Sequence, residues 1–133
     1  MRLWLASICG MLAVAGCGGS GGSSPGWKNL RRVSITISNS SLPPPFGRPK
    51  TRVYSTSAAL ARVTAKLNVY RIAKGTQNST DGGCTGGYQV AISITEASRP
   101  SPVRLSGYRC ATTTYGITGN LPGFLTALKL SAP

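Results

Sequence analysis

The chain of 133 residues has no histidine, and Asp81 and Glu96 are its two carboxylate side chains. Without histidine, the commonest general base and the hydrolytic triads built on it are excluded. A hydrolase using paired carboxylates would need Asp81 and Glu96 close together. The hairpin argued below places them at opposite ends of a strand. The set is also poor for metals: no imidazole, two isolated carboxylates, and cysteines expected to be engaged otherwise. Gly82-Gly83 and Gly86-Gly87 fit neither GxGxxG nor a P-loop, and they precede a strand rather than a helix. Serines are plentiful enough for a Ser/Lys pair, but nothing marks one of them out. The reading is a non-enzyme with no cofactor and no metal.

Long apolar runs are missing too. Leu3 to Gly16 carries no charge, but as a helix it would reach only about 21 Å at ~1.5 Å per residue. A membrane span needs about 30 Å. Following the basic start Met1-Arg2, this run has the shape of an export signal. It is set aside from the fold.

What is abundant is positive charge. Fifteen Lys and Arg give a formal net charge of +13. Such a field attracts polyanions: anionic lipid, cell-wall polymer, acidic protein or nucleic acid. The competing reading is a solvated surface that favours solubility. The apolar content of 41% is enough for one packed core.

Residues Val14-Ala15-Gly16-Cys17 resemble the lipobox of bacterial lipoproteins: an aliphatic residue, two small ones, then cysteine. The resemblance implies that Cys17 takes a diacylglyceryl group on sulfur. The chain is then cut before Cys17 and the new amino terminus is acylated. Cys9 follows the bulky Ile8 and is lost with the signal. One acyl chain binds a membrane only marginally, whereas two or three anchor it. Gly18 rather than Asp after Cys17 implies, by the family's sorting rule, an outer-membrane site facing the periplasm in a Gram-negative cell. The expected organisation is a signal over 1–16, lipidated Cys17 and a Gly/Ser tether over 17–26, and one basic domain over 27–133. The tether reaches on the order of 15–18 Å.

Val33, Ile35 and Ile37 alternate with Ser34, Thr36 and Ser38, predicting a strand with one wet face. The proline-rich stretch over 39–49 predicts an extended loop. Arg52-Val53-Tyr54 predicts a short strand. Leu60, Val63, Leu67 and Tyr70 predict a helix over 57–72, capped by Ser55 or Ser57. Arg62 and Lys66 fall off its apolar stripe and are expected to be solvated. Tyr88 to Thr95 and Val103 to Cys110 predict two further strands, and residues 112–118 extend the sheet. The apolar phase slips at Ser106-Gly107, which predicts a β-bulge. Asn120-Leu121-Pro122 opens a short C-terminal helix. The fold class is α+β, with a small antiparallel sheet of three to five strands packed by the two helices. A small β-sandwich is the alternative.

An antiparallel hairpin that pairs Thr95 with Val103 brings Cys84 within a few residues of Cys110. An exported domain resides where disulfides persist, so these two are expected to pair. The expected function is a non-catalytic cell-envelope lipoprotein whose basic domain binds an anionic envelope component or an acidic partner. Arg31, Arg32, Arg48, Lys50 and Arg52, around the proline loop, form the candidate patch. Trp27 is expected near the membrane interface. The alternative is an exported protein–protein module, an inhibitor or assembly accessory, making contact through the loop Ser40–Arg52. Nucleic acid fits the charge but not the address.

Overall fold

A computed structural model describes residues 26–39, 42–43, 45–76 and 86–130. The segment 1–16, Cys17 and the tether up to Pro25 lie outside the described residues.

The chain forms β1 (Leu30–Ser38), β2 (Lys50–Tyr54), α1 (Ser57–Val69), β3 (Ala73–Lys74), β4 (Tyr88–Glu96), β5 (Val103–Cys110), β6 (Thr113–Tyr115), β7 (Ile117–Thr118) and α2 (Leu121–Ala127). Five strands make one antiparallel sheet in the order β2-β1-β4-β5-β6, and β3 pairs with β7 in a separate ribbon. This is an α+β fold and not a sandwich. No described helix is long and apolar enough to cross a membrane.

Alternation sorts the sheet into two faces. Ile35 lies opposite Ile92, which lies opposite Leu105, and all three are buried. With Val33, Ile37, Val90 and Ile94 they form the floor of the core. Val63 and Leu67 of α1 and Leu121, Phe124 and Leu125 of α2 close it from above. The other face has no covering element among the described residues. It carries Ser34, Thr36, Ser93 and Ser106, with the Thr36 and Thr51 hydroxyls 2.8 Å apart across the β1–β2 pair. The strand pattern is thus satisfied on one face by packing and on the other by polarity.

Several expectations change in detail. Trp27 is not at an interface but in the core, with 5% of its surface exposed. Its indole N–H donates to the Ile72 carbonyl at 2.7 Å. Asn68 clasps its backbone from both sides, accepting from the Trp27 N–H at 2.8 Å and donating to its carbonyl at 3.0 Å.

Helix α1 is capped by Thr56, whose hydroxyl accepts from the Ala59 N–H, rather than by Ser55 or Ser57. It ends at Val69, short of 72, because Arg71 turns into the left-handed region at φ 54°. The Ile72 N–H then returns to the Leu67 carbonyl, and the Arg71 N–H to that of Asn68. This is a Schellman closure.

The bulge at Ser106-Gly107 is absent. The register runs unbroken from Ile94↔Val103 to Tyr88↔Arg109, one residue from the expected pairing. Gly107 lies at a core-facing position, where a Cβ would come 2.8 Å from the side chain of buried Ile117. The apolar phase slips because Ile117 of β7 fills that place. The proline loop is turned rather than extended, with the Phe46 and Gly47 N–H groups both donating to the Pro43 carbonyl.

Candidate anion-binding site

The sheet register decides which cations meet. Tyr54 lies opposite Val33 and Lys50 opposite Ile37, so β2 pairs with Val33 to Ile37 of β1. Arg31 and Arg32 sit at one end of this pair, and Arg48 and Lys50 at the other. The five expected residues therefore do not form one patch. Arg32 lies on the bare hydroxyl face, where it pairs in register with Thr95. Arg31 lines a shallow groove beside α1. Arg52 is turned toward the helices, and its guanidinium donates to the Leu128 carbonyl at 3.0 Å.

Arg52 belongs to a different group. Arg62 and Lys66 stand four apart on α1 and so share a helix face. Lys129 follows α2. With Arg52, Tyr54 and Leu128 they line a cleft of about 320 Å³ between the edge strand β2, the flank of α1 and the end of α2. The apolar floor includes Ala59 and Ala127. Helix periodicity located Arg62 and Lys66 but gave no sign that β2 and the end of α2 would approach them. Lys129 had no signal of its own.

Two local features mark this cleft. The Tyr54 hydroxyl is buried and makes no hydrogen bond among the described residues. A buried hydroxyl without a partner costs about 1–3 kcal/mol. Lys129 occupies the left-handed region at φ 54°, at the Schellman position after α2, where Leu130 N–H reaches the Leu125 carbonyl at 2.9 Å. Glycine is the usual residue there. A cation near a helix C-terminus is favoured by the dipole, which offsets part of the backbone strain.

The cleft contains no carboxylate. Among the described residues Glu96 is the single carboxylate side chain, and it is bonded to Arg99 at 2.7 Å. Asp81 lies outside the described residues. No group of three His, Cys, Asp or Glu is placed to hold a metal among the described residues.

On the other flank of α1 lies a wider, shallow groove of about 740 Å³. Its polar lining is mostly neutral, from Asn29, Ser55, Ser57, Thr64 and Asn68, with Arg31 as its one cation.

Cys110, at the end of β5, is disulfide-bonded; Cys84, its expected partner, lies outside the described residues. Nearby, Arg109 donates to the Thr114 hydroxyl at 3.0 Å. Burial pushes the Tyr88 phenol above its usual pKa of 10.0, while Arg109 pulls in the opposite direction.

Comparison with protein-family models, with curated proteins and with solved structures finds no match for this chain.

Proposed function

We propose that the chain is a non-catalytic lipoprotein of the cell envelope, held by acylated Cys17, whose domain binds an anionic envelope component. The observation that carries the binding role is the convergence of Arg52, Arg62, Lys66 and Lys129 on one cleft with no carboxylate to neutralise them. Cations used only for solubility would be spread apart by mutual repulsion. Support for the anchor comes from Val14-Ala15-Gly16-Cys17 and the Gly/Ser run that follows it. A basic surface beside an acyl chain gives two-signal membrane attachment.

The test uses full chain carrying Cys17→Ser, so that no lipid is attached. At low salt it is expected to bind phosphatidylglycerol vesicles and poly-glutamate, and to release both as ionic strength rises. Arg62→Gln with Lys66→Gln should weaken vesicle binding by roughly ten- to thirty-fold, at about 1 kcal/mol per cation near a charged surface. Binding to neutral vesicles as strong as to anionic ones, together with no binding to poly-glutamate, would sink the reading. Mass spectrometry of the wild-type protein from membranes should show an acylated Cys17 as first residue.

A second reading has its own observation. Phe46 is 68% exposed at the turn of the β1–β2 loop, with Arg48 close behind it. An exposed aromatic beside a cation is a common anchor of protein contacts. In that reading the loop meets an acidic partner, and Phe46→Ala abolishes its capture while leaving poly-glutamate binding intact.

A further inference from the structure

We infer that β2 is a docking edge: an extended acidic segment of a partner protein adds to it as a further strand, with its carboxylates over the cationic cleft. This rests on the anion-binding reading above and names the form in which the anion arrives.

The two edges of the sheet differ. At one edge β6 has three residues and turns at Gly116 into β7, which pairs with β3 instead. So short an edge strand is a poor template for another chain. At the other edge β2 runs five residues in unbroken register with β1. It contains neither Pro nor Gly, and no bulge interrupts it. Its one ladder partner among the described residues is β1. Lys50 to Val53 are all exposed, whichever face they point to, so no described element lies along this edge. In an antiparallel ladder alternate residues turn their N–H and C=O groups outward, and an added strand pairs with them.

Charge guards this edge, and charge selects what can occupy it. Lys50, Arg52 and Tyr54 lie opposite Ile37, Ile35 and Val33, which places them on the helix side of the sheet. Thr51 and Val53 lie on the bare face. A second copy pairing antiparallel about Arg52 would set the two Arg52 side chains against each other. Pairing about Thr51 would set Lys50 against Arg52. Like charges directly opposed across strands are destabilising.

An acidic strand meets the reverse condition. Neighbouring strands lie about 4.8 Å apart. The helix-side residues of an added strand would therefore stand at the mouth of the cleft lined by Arg52, Arg62, Lys66 and Lys129. Its other residues would continue the row of Thr51 and Val53 on the bare face, where β-branched neighbours pack well. The fitting segment alternates carboxylates with Thr or Val.

The test titrates full-chain Cys17→Ser protein with a short capped peptide in which Glu alternates with Val and Thr. An isomer of the same composition with its Glu residues contiguous is expected to bind about tenfold more weakly. N-methylation of one alternate set of peptide amides should remove that advantage, because those N–H groups pair with β2. N-methylation of the other set should be tolerated. Hydrogen exchange should slow at alternate amides within Lys50–Tyr54 when the alternating peptide binds, and not when poly-glutamate binds. Arg62→Gln and Lys66→Gln should each weaken the alternating peptide about two- to fivefold, the scale of an exposed ion pair.

Equal affinity for the two isomers, tolerance of both methylated sets, or edge amides that exchange as fast with the peptide as without it overturns strand addition and leaves the anion reading standing. Dimerisation of the free protein that protects the same amides gives the edge to a second copy and overturns it likewise. Absence of binding to both peptides, to anionic vesicles and to poly-glutamate overturns both.

Discussion

The two flanks of α1 begin from the same thirteen-residue helix and end in opposite chemistry. On one side Asn68 clasps the backbone of Trp27, and Thr64 faces a wide groove of mostly neutral polar groups. On the other, Arg62 and Lys66 face Arg52 and Lys129 across a narrow cleft. On the neutral flank Asn68 is engaged in holding Trp27 to the end of the helix. The cationic flank concentrates like charge, at a cost to stability, and the buried Tyr54 hydroxyl beside it makes no hydrogen bond among the described residues. Polar groups engaged in folding are unavailable to a ligand, whereas groups left unsatisfied in the free protein are stabilised when one binds.

The sharpest way to separate the flanks is Trp27→Ala. It removes a buried aromatic and its indole donor, and should cost about 3–5 kcal/mol in urea unfolding. At a denaturant-free temperature where the variant stays folded, its anion affinity should be unchanged. Loss of affinity in step with stability would show that the flanks are not independent.

Cys110→Ser acts far from both flanks. Loss of a native disulfide from a small domain should cost roughly 2–5 kcal/mol, read as a lower thermal midpoint in the absence of reductant. The wild type with reductant should match it.

Lys129→Gly sharpens the comparison from the other side. Glycine at φ 54° relieves the left-handed strain, stabilising the free fold by up to about 1 kcal/mol. Removing the cation from the cleft should at the same time weaken anion binding several-fold. Opposite movement of stability and affinity is the signature expected of the cationic flank.

The smallest effect is a pH dependence outside both flanks. Burial raises the pKa of Tyr88, so the folded state holds this proton more tightly than the unfolded chain. Its contribution is fully present below about pH 10 and is lost as pH rises through the folded-state value. Tyr88→Phe should flatten that alkaline decline in stability and leave the neutral-pH anion affinity alone.

The elements themselves were legible along the chain. Val33, Ile35 and Ile37 announce a half-buried strand, and Leu60, Val63 and Leu67 announce a helix, because periodicity is local. Asn120 and Pro122 mark the start of α2 for the same reason, and the Asn120 side chain does accept from the Gly123 N–H at 3.0 Å. The error at Ser106-Gly107 has a non-local cause. The missing side chain of Gly107 is replaced by Ile117 from another strand, which resembles a phase slip when β5 is read alone. Gly119 is similar: a Cβ there would run into the Tyr70 and Arg71 carbonyls, a demand made by the end of a helix far back in the chain.

The sequence by itself determined the net charge, the absence of imidazole chemistry, the strand and helix periodicities and the α+β class. These are sums or short-range patterns and need no knowledge of which segments meet. Only the tertiary structure decided that Trp27 is part of the core and that Arg31 and Arg32 are parted from Lys50 along β1. It also gathered Arg52, Arg62, Lys66 and Lys129 around one cleft. That gathering depends on the β1–β2 register, the angle of α1 over the sheet and the left-handed turn that closes α2, none of which the spacing of charges along the chain encodes.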